Sequence, residues 1–104
     1  MTLRALLEAA ATDLPGVAST PEPNGSLTWS RGGRPFAVAN ADGSAAEFAL
    51  DPAVADAAAR TPDVQPADRG PGWVTFTPTV LDDQAADRAI AWLASAHRRS
   101  EPRN

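Results

Sequence analysis

A chain of 104 residues with a formal net charge of −4 is sized for one domain that can bury a single core without cross-links. It has no cysteine, which excludes disulfides, thiolate metal sites and thiol catalysis, and one histidine, His97, so that a metal or acid–base site would rest on that ring plus carboxylates. Every basic residue is an arginine, and the acidic balance repels phosphate backbones, which disfavours duplex DNA as a partner.

In chain order, Leu3, Leu6, Leu7 and Ala10 fall at helical spacing, with Leu14 continuing the stripe. They predict a helix over Thr2–Asp13, capped by Thr2 and ended by Leu14-Pro15-Gly16. Val17–Thr20 reads either as a short strand or as extended chain, and Pro21–Gly25 as a turn reversing at Asn24-Gly25. Ser26–Ser30 alternates, with Leu27 and Trp29 on one face. Arg31-Gly32-Gly33-Arg34 is then a hairpin turn, and the return strand Pro35–Ala39 is expected to put Phe36 and Val38 on the core face. After a second turn at Asn40-Ala41-Asp42-Gly43, Ala46–Leu50 directs Ala46, Phe48 and Leu50 inward and Glu47 outward.

Asp51-Pro52 opens a helix to Arg60, with Asp51 as cap, Val54, Ala57 and Ala58 inward, and Asp56–Arg60 as a surface pair. Thr61–Arg69 is polar, with Val64 anchoring a brief strand. Gly70-Pro71-Gly72 breaks the chain before Trp73–Thr77, the most strand-like run, expected to be the strand around which the others pack. Asp82–Arg99 is the last helix. Ala85, Ala86, Ala89, Ile90, Trp92, Leu93 and Ala96 form its apolar face, Arg88 lies on the polar side, and residues 100–104 form a frayed tail. The fold expected is α+β: an antiparallel sheet in the order α-β(3)-α-β(1-2)-α, with the helices packed on one face, as one domain over residues 1–104. Phe36, Phe48, Phe76 and Trp92 are expected to meet in its core.

Trp29–Ala37, with its Gly-Gly-Arg-Pro-Phe-Ala run, resembles the hairpin of the MmcQ/YjbR-like family. Leu14-Pro15-Gly16-Val17 and Gly72-Trp73-Val74 resemble other parts of that family, and the similarity spans about residues 5–99. The resemblance implies a CyaY-like, secretion-chaperone-like α-β(3)-α-β(2)-α fold, and the family has been proposed to bind DNA. Arg34 and Pro35 stand where the family commonly has a lysine and another side chain. The small luciferase-annotated domain family has a similar Leu-Pro-Gly start and Gly-Trp-Val strand. Neither resemblance carries over a catalytic residue, and the alanine- and arginine-rich composition is of the kind found in actinobacteria.

No window has the apolar length of a membrane span, and Met1-Thr2-Leu3-Arg4 leads directly into a charged amphipathic pattern, so a cytoplasmic protein is expected. No metal, cofactor or catalytic residue is assigned. Arg31, Arg34 and Arg69 flank glycine turns, where guanidinium forks and backbone amides can meet an anion; the plainer alternative is solvated turn arginines. Trp29 and Trp73 are either core residues or, if exposed, a partner surface. Asp82 and Asp83 are accounted for by capping, and His97 by the dipole at the end of its helix. The function expected is a non-enzymatic interaction or binding module whose partner is a second copy or another protein; the alternative is a small-anion binder or enzyme using the arginine edge.

Overall fold

Thr2 begins the first helix by accepting the Ala5 amide on Oγ1 at 3.1 Å, and the helix, α1, runs Leu3–Ala11 with Leu3, Leu7 and Ala11 buried. The computed structural model describes residues 2–101, which form three helices and a six-stranded sheet. Helix α2 (Pro52–Ala58) has Pro52 in its first turn, where a missing N–H costs nothing. Asp51 does not cap it: its carboxylate makes no cap hydrogen bond and pairs instead with Arg99 Nε at 3.3 Å. Ala55 takes the inward place expected of Ala57, which is exposed. Because α2 stops at Ala58, Arg60 lies beyond it, and the Asp56–Arg60 pair is not among the ion pairs of the described residues. Helix α3 (Asp83–Arg99) starts at Asp82, whose Oδ1 accepts the Ala85 amide at 2.8 Å. Ser100 is not frayed. It is buried, and its hydroxyl donates to His97 O at 2.6 Å, closing the helix end; residues 102–104 of the expected tail lie outside the described residues.

The strands are β1 (Val17–Pro21), β2 (Leu27–Arg31), β3 (Arg34–Ala39), β4 (Ala46–Ala49), β5 (Val64–Pro66) and β6 (Trp73–Phe76). They form one antiparallel sheet in the order β1-β2-β3-β4-β6-β5. Val17–Pro21 is thus a true strand, and four strands rather than three precede α2. Trp73–Phe76 is one place from an edge, and β3 and β4 are central. Its aromatic and β-branched composition reports how deeply Val74 and Phe76 are covered, not where the strand lies across the sheet.

A bulge decides which side chains face the core. Trp29 pairs with Ala37 but Ser30 pairs with Pro35, which leaves Phe36 as the extra residue. Strict alternation would have put Phe36 and Val38 on one face. With the bulge, Phe36, Ala37 and Ala39 join the core, and Val38 turns to the opposite face beside Thr28 and Glu47. Leu27, Trp29, Ala46, Phe48 and Leu50 point inward as their alternation predicts.

All three helices contribute buried side chains to that one core, so they cover one face of the sheet. Trp92 meets Phe76 edge-on at 5.1 Å between centroids and Phe48 at 6.2 Å. Phe36 lies 5.7 Å from the His97 ring. Phe36, Phe48 and Phe76 are fully buried, each contributing roughly 1.5–3 kcal/mol from lost water contact. Two positions on α3 depart from the pattern. Ile90, turned 100° from Ala89, is 40% exposed. Arg88, on the polar side, lays its guanidinium 5.5 Å from the Phe76 ring centroid.

Gly72 positions the loop that leads into β6. The Leu50 amide donates to Gly72 O at 2.8 Å, extending the β4–β6 ladder beyond the strands. Gly72 has φ +84°, and a Cβ there would stand 2.2 Å from Leu50 O, so only glycine fits.

Candidate functional site

The face of the sheet away from the helices carries a row set by register. Thr20, Thr28, Val38, Glu47, Thr75 and Gln65 lie side by side across all six strands. A groove of about 760 Å³ runs over part of it. Thr28, Val38 and Pro35 line it from the sheet, and Glu22, Pro23, Asn24 and Ser26, from the turn between β1 and β2, line one side. That turn is stiffened locally, because Asn24 Oδ1 accepts both the Ser26 amide (3.0 Å) and the Ser26 hydroxyl (2.6 Å). Arg4 braces it from α1 by donating to Gly25 O at 2.8 Å.

Arg69 and Trp73 complete the lining. The Arg69 guanidinium lies 5.7 Å from the Trp73 ring centroid and donates through Nε to Glu47 on the neighbouring strand, so the half-exposed indole is held between loop and sheet. The pair is partly exposed and screened; its use is orientation more than stability.

A second pocket, of about 210 Å³, adjoins the groove; Pro35, Arg69 and Trp73 line both. Arg34 from the start of β3, Arg69 from the loop before β6 and Arg99 from the last turn of α3 surround it, with Gly70 and Ser100. The structure therefore brings Arg34 and Arg69 together and leaves Arg31 apart. Arg31 turns to the helix face and donates to His97 O at 3.2 Å, capping the end of α3. Arg99, the third arginine of the pocket, was not singled out by the sequence, where a basic residue in a last helical turn reads as a dipole partner.

Trp29 is 2% exposed and belongs to the core, so it is no part of a partner surface; Trp73 alone of that pair reaches the surface. His97 is buried, with Nε2 2.8 Å from Pro15 O, where the ring nitrogen donates and ties α3 to the turn after α1. Among the described residues no group of His, Cys, Asp or Glu is placed to hold a metal ion, and no helix is long and apolar enough to cross a membrane. Away from both cavities, the Ser44 hydroxyl and amide hold the exposed Asp42 carboxyl below the usual carboxylate range.

No protein-family model matches this chain, and a search of curated proteins gives no significant match.

Proposed function

We propose that the chain is a small non-enzymatic binding module, cytoplasmic and bacterial, that takes its ligand on the open face of the sheet. The observation that carries this reading is the half-exposed Trp73, pinned by Arg69 beside a groove whose 760 Å³ falls in the range of ligand sites, roughly 300–1,000 Å³. An indole held in one orientation offers a flat apolar surface at little entropic cost on binding. In the lining the Ser26 hydroxyl is spent on Asn24, and on the sheet beside the groove the Glu47 carboxylate is tied to Arg69. The Leu14-Pro15-Gly16, Trp29–Ala37 and Gly72-Trp73-Val74 segments support an MmcQ/YjbR-like relationship, from which the fourth strand before α2 is a departure.

The test is a screen of small metabolites and short peptides followed by NMR, reading the Trp73 indole N–H. Binders should move that signal, and Trp73→Ala should lose them while keeping its circular dichroism spectrum. Binders that map to another surface, or that bind Trp73→Ala unchanged, refute the assignment.

A second reading rests on the sheet edge. β1 is five residues without a charge, exposed from Ala18 to Pro21, whereas the opposite edge strand, β5, is three residues ending in Pro66. An edge of that kind favours pairing with a second copy in antiparallel register. Sedimentation equilibrium checks it: Ser19→Lys should dissociate such a dimer, and a wild-type monomer at high concentration rules it out.

A further inference from the structure

We infer that the arginine pocket is an anion subsite, so that the ligand of the open face is an organic anion: its carboxylate or phosphate sits among Arg34, Arg69 and Arg99 and its body lies against Trp73 and Pro35. The inference rests on the open-face reading for the body of the ligand; the anion subsite itself stands on separate observations.

The first is convergence. Three arginines line one pocket from three elements remote in sequence, in a chain whose net charge is negative. The second is what their neighbours leave available. Arg69 is joined to Glu47 and Arg99 to Asp51, in both cases through Nε, and Arg34 makes no side-chain hydrogen bond among the described residues. The terminal nitrogens of Arg69 and Arg99 and the whole fork of Arg34 therefore remain as donors. Three positive charges face two carboxylates, and the excess is what an anion would neutralise.

The end of α3 opposes this with its negative dipole, but the structure has already answered it. Arg31 and the Ser100 hydroxyl both donate to His97 O, and the Ser100 amide donates to Ala96 O. At about 210 Å³ the pocket is below the roughly 300 Å³ floor of ordinary ligand sites, which suits one charged group and not a whole molecule. Pro35, Arg69 and Trp73 line both cavities, so a molecule anchored by its charge continues directly onto the indole.

The experiment titrates the protein at constant ionic strength with inorganic phosphate, acetate, phenyl phosphate and benzoate, each against a chloride control. The readouts are the Nε–H signals of Arg34, Arg69 and Arg99 and the Trp73 indole N–H. Phosphate or acetate should move the arginine signals saturably, and the matching aromatic ligand should bind roughly tenfold more tightly and also move the indole. Which pair responds distinguishes a phosphate from a carboxylate ligand. Arg34 is exposed and free of side-chain hydrogen bonds, so Arg34→Ala and Arg34→Gln should both fold normally and lose roughly tenfold in affinity, whereas Arg60→Ala should bind as wild type. If phosphate or acetate saturates but the ring adds nothing, the anion subsite stands and the open-face reading fails. Responses no greater than with chloride, or binding unchanged in both Arg34 variants, overturn the inference.

Discussion

Replacing Gly72 by alanine tests how β4, β6 and the loop that carries Arg69 and Trp73 are held together. Two costs add at this position. A non-glycine residue at φ +84° gives up roughly 1–2 kcal/mol in backbone strain. The new methyl would also stand 2.2 Å from Leu50 O, a backbone atom that cannot swing aside. Relieving the clash means parting the chains, which loses the 2.8 Å Leu50–Gly72 hydrogen bond, a further 0.5–1.5 kcal/mol or so, and disturbs the packing of the fully buried Leu50. The two ranges add to roughly 1.5–3.5 kcal/mol before any loss of Leu50 packing, a large share of the 5–15 kcal/mol or so typical of a domain. Gly33→Ala is the matched control, because φ is +78° there but nothing lies within 4 Å of the added carbon. It should cost only the strain of roughly 1–2 kcal/mol. Urea denaturation followed by far-ultraviolet circular dichroism measures both; with a slope of roughly 1–3 kcal/mol per molar, Gly72→Ala should melt at a clearly lower midpoint than Gly33→Ala. Equal midpoints would show that the close approach of Gly72 to Leu50 does not constrain the sheet.

Phe76→Ala should cost roughly 3–5 kcal/mol, and Trp92→Ala, only partly buried over the same cluster, the lower end of that range or less, both read as denaturation midpoints. If Trp92→Ala instead left stability intact and changed the oligomeric state on sizing, the terminal helix would be an interface element. Asp42 has a lowered folded-state pKa, so its contribution is fully present above the unfolded carboxylate value and fades as pH falls through the folded one. A carbon-13 NMR titration should place Asp42 below an unperturbed aspartate, and Ser44→Ala should move it back up. Duplex DNA should bind weakly at physiological salt, since the chain carries −4 overall; tight, salt-sensitive binding in a fluorescence titration would contradict this.

Features whose causes lie within a few residues of one another are legible in the chain before it folds. The Leu3, Leu6, Leu7, Ala10 spacing, the Thr2 and Asp82 caps, the Gly32-Gly33 turn and the alternation of Phe48 with Glu47 are all local, and each reappears in the structure. Tertiary structure decided what depends on remote chain. The bulge at Phe36, which sends Val38 to the open face, comes from the register of β3 on β2 and leaves no mark in the composition of either strand. Asp51 has the residue type and place of a cap, yet it answers to Arg99, 48 positions away in the numbering, and Arg31 reaches α3 across 66 residues. The pocket is of the same kind. Arg34 and Arg69 could be singled out as turn arginines, but only the packing of α3 against the sheet brings Arg99 to them, and only the assembled sheet and helices decide that Trp29 is buried while Trp73 stands beside the groove. A side chain's type is local information, whereas its neighbours are set by which surfaces the whole chain must bury at once.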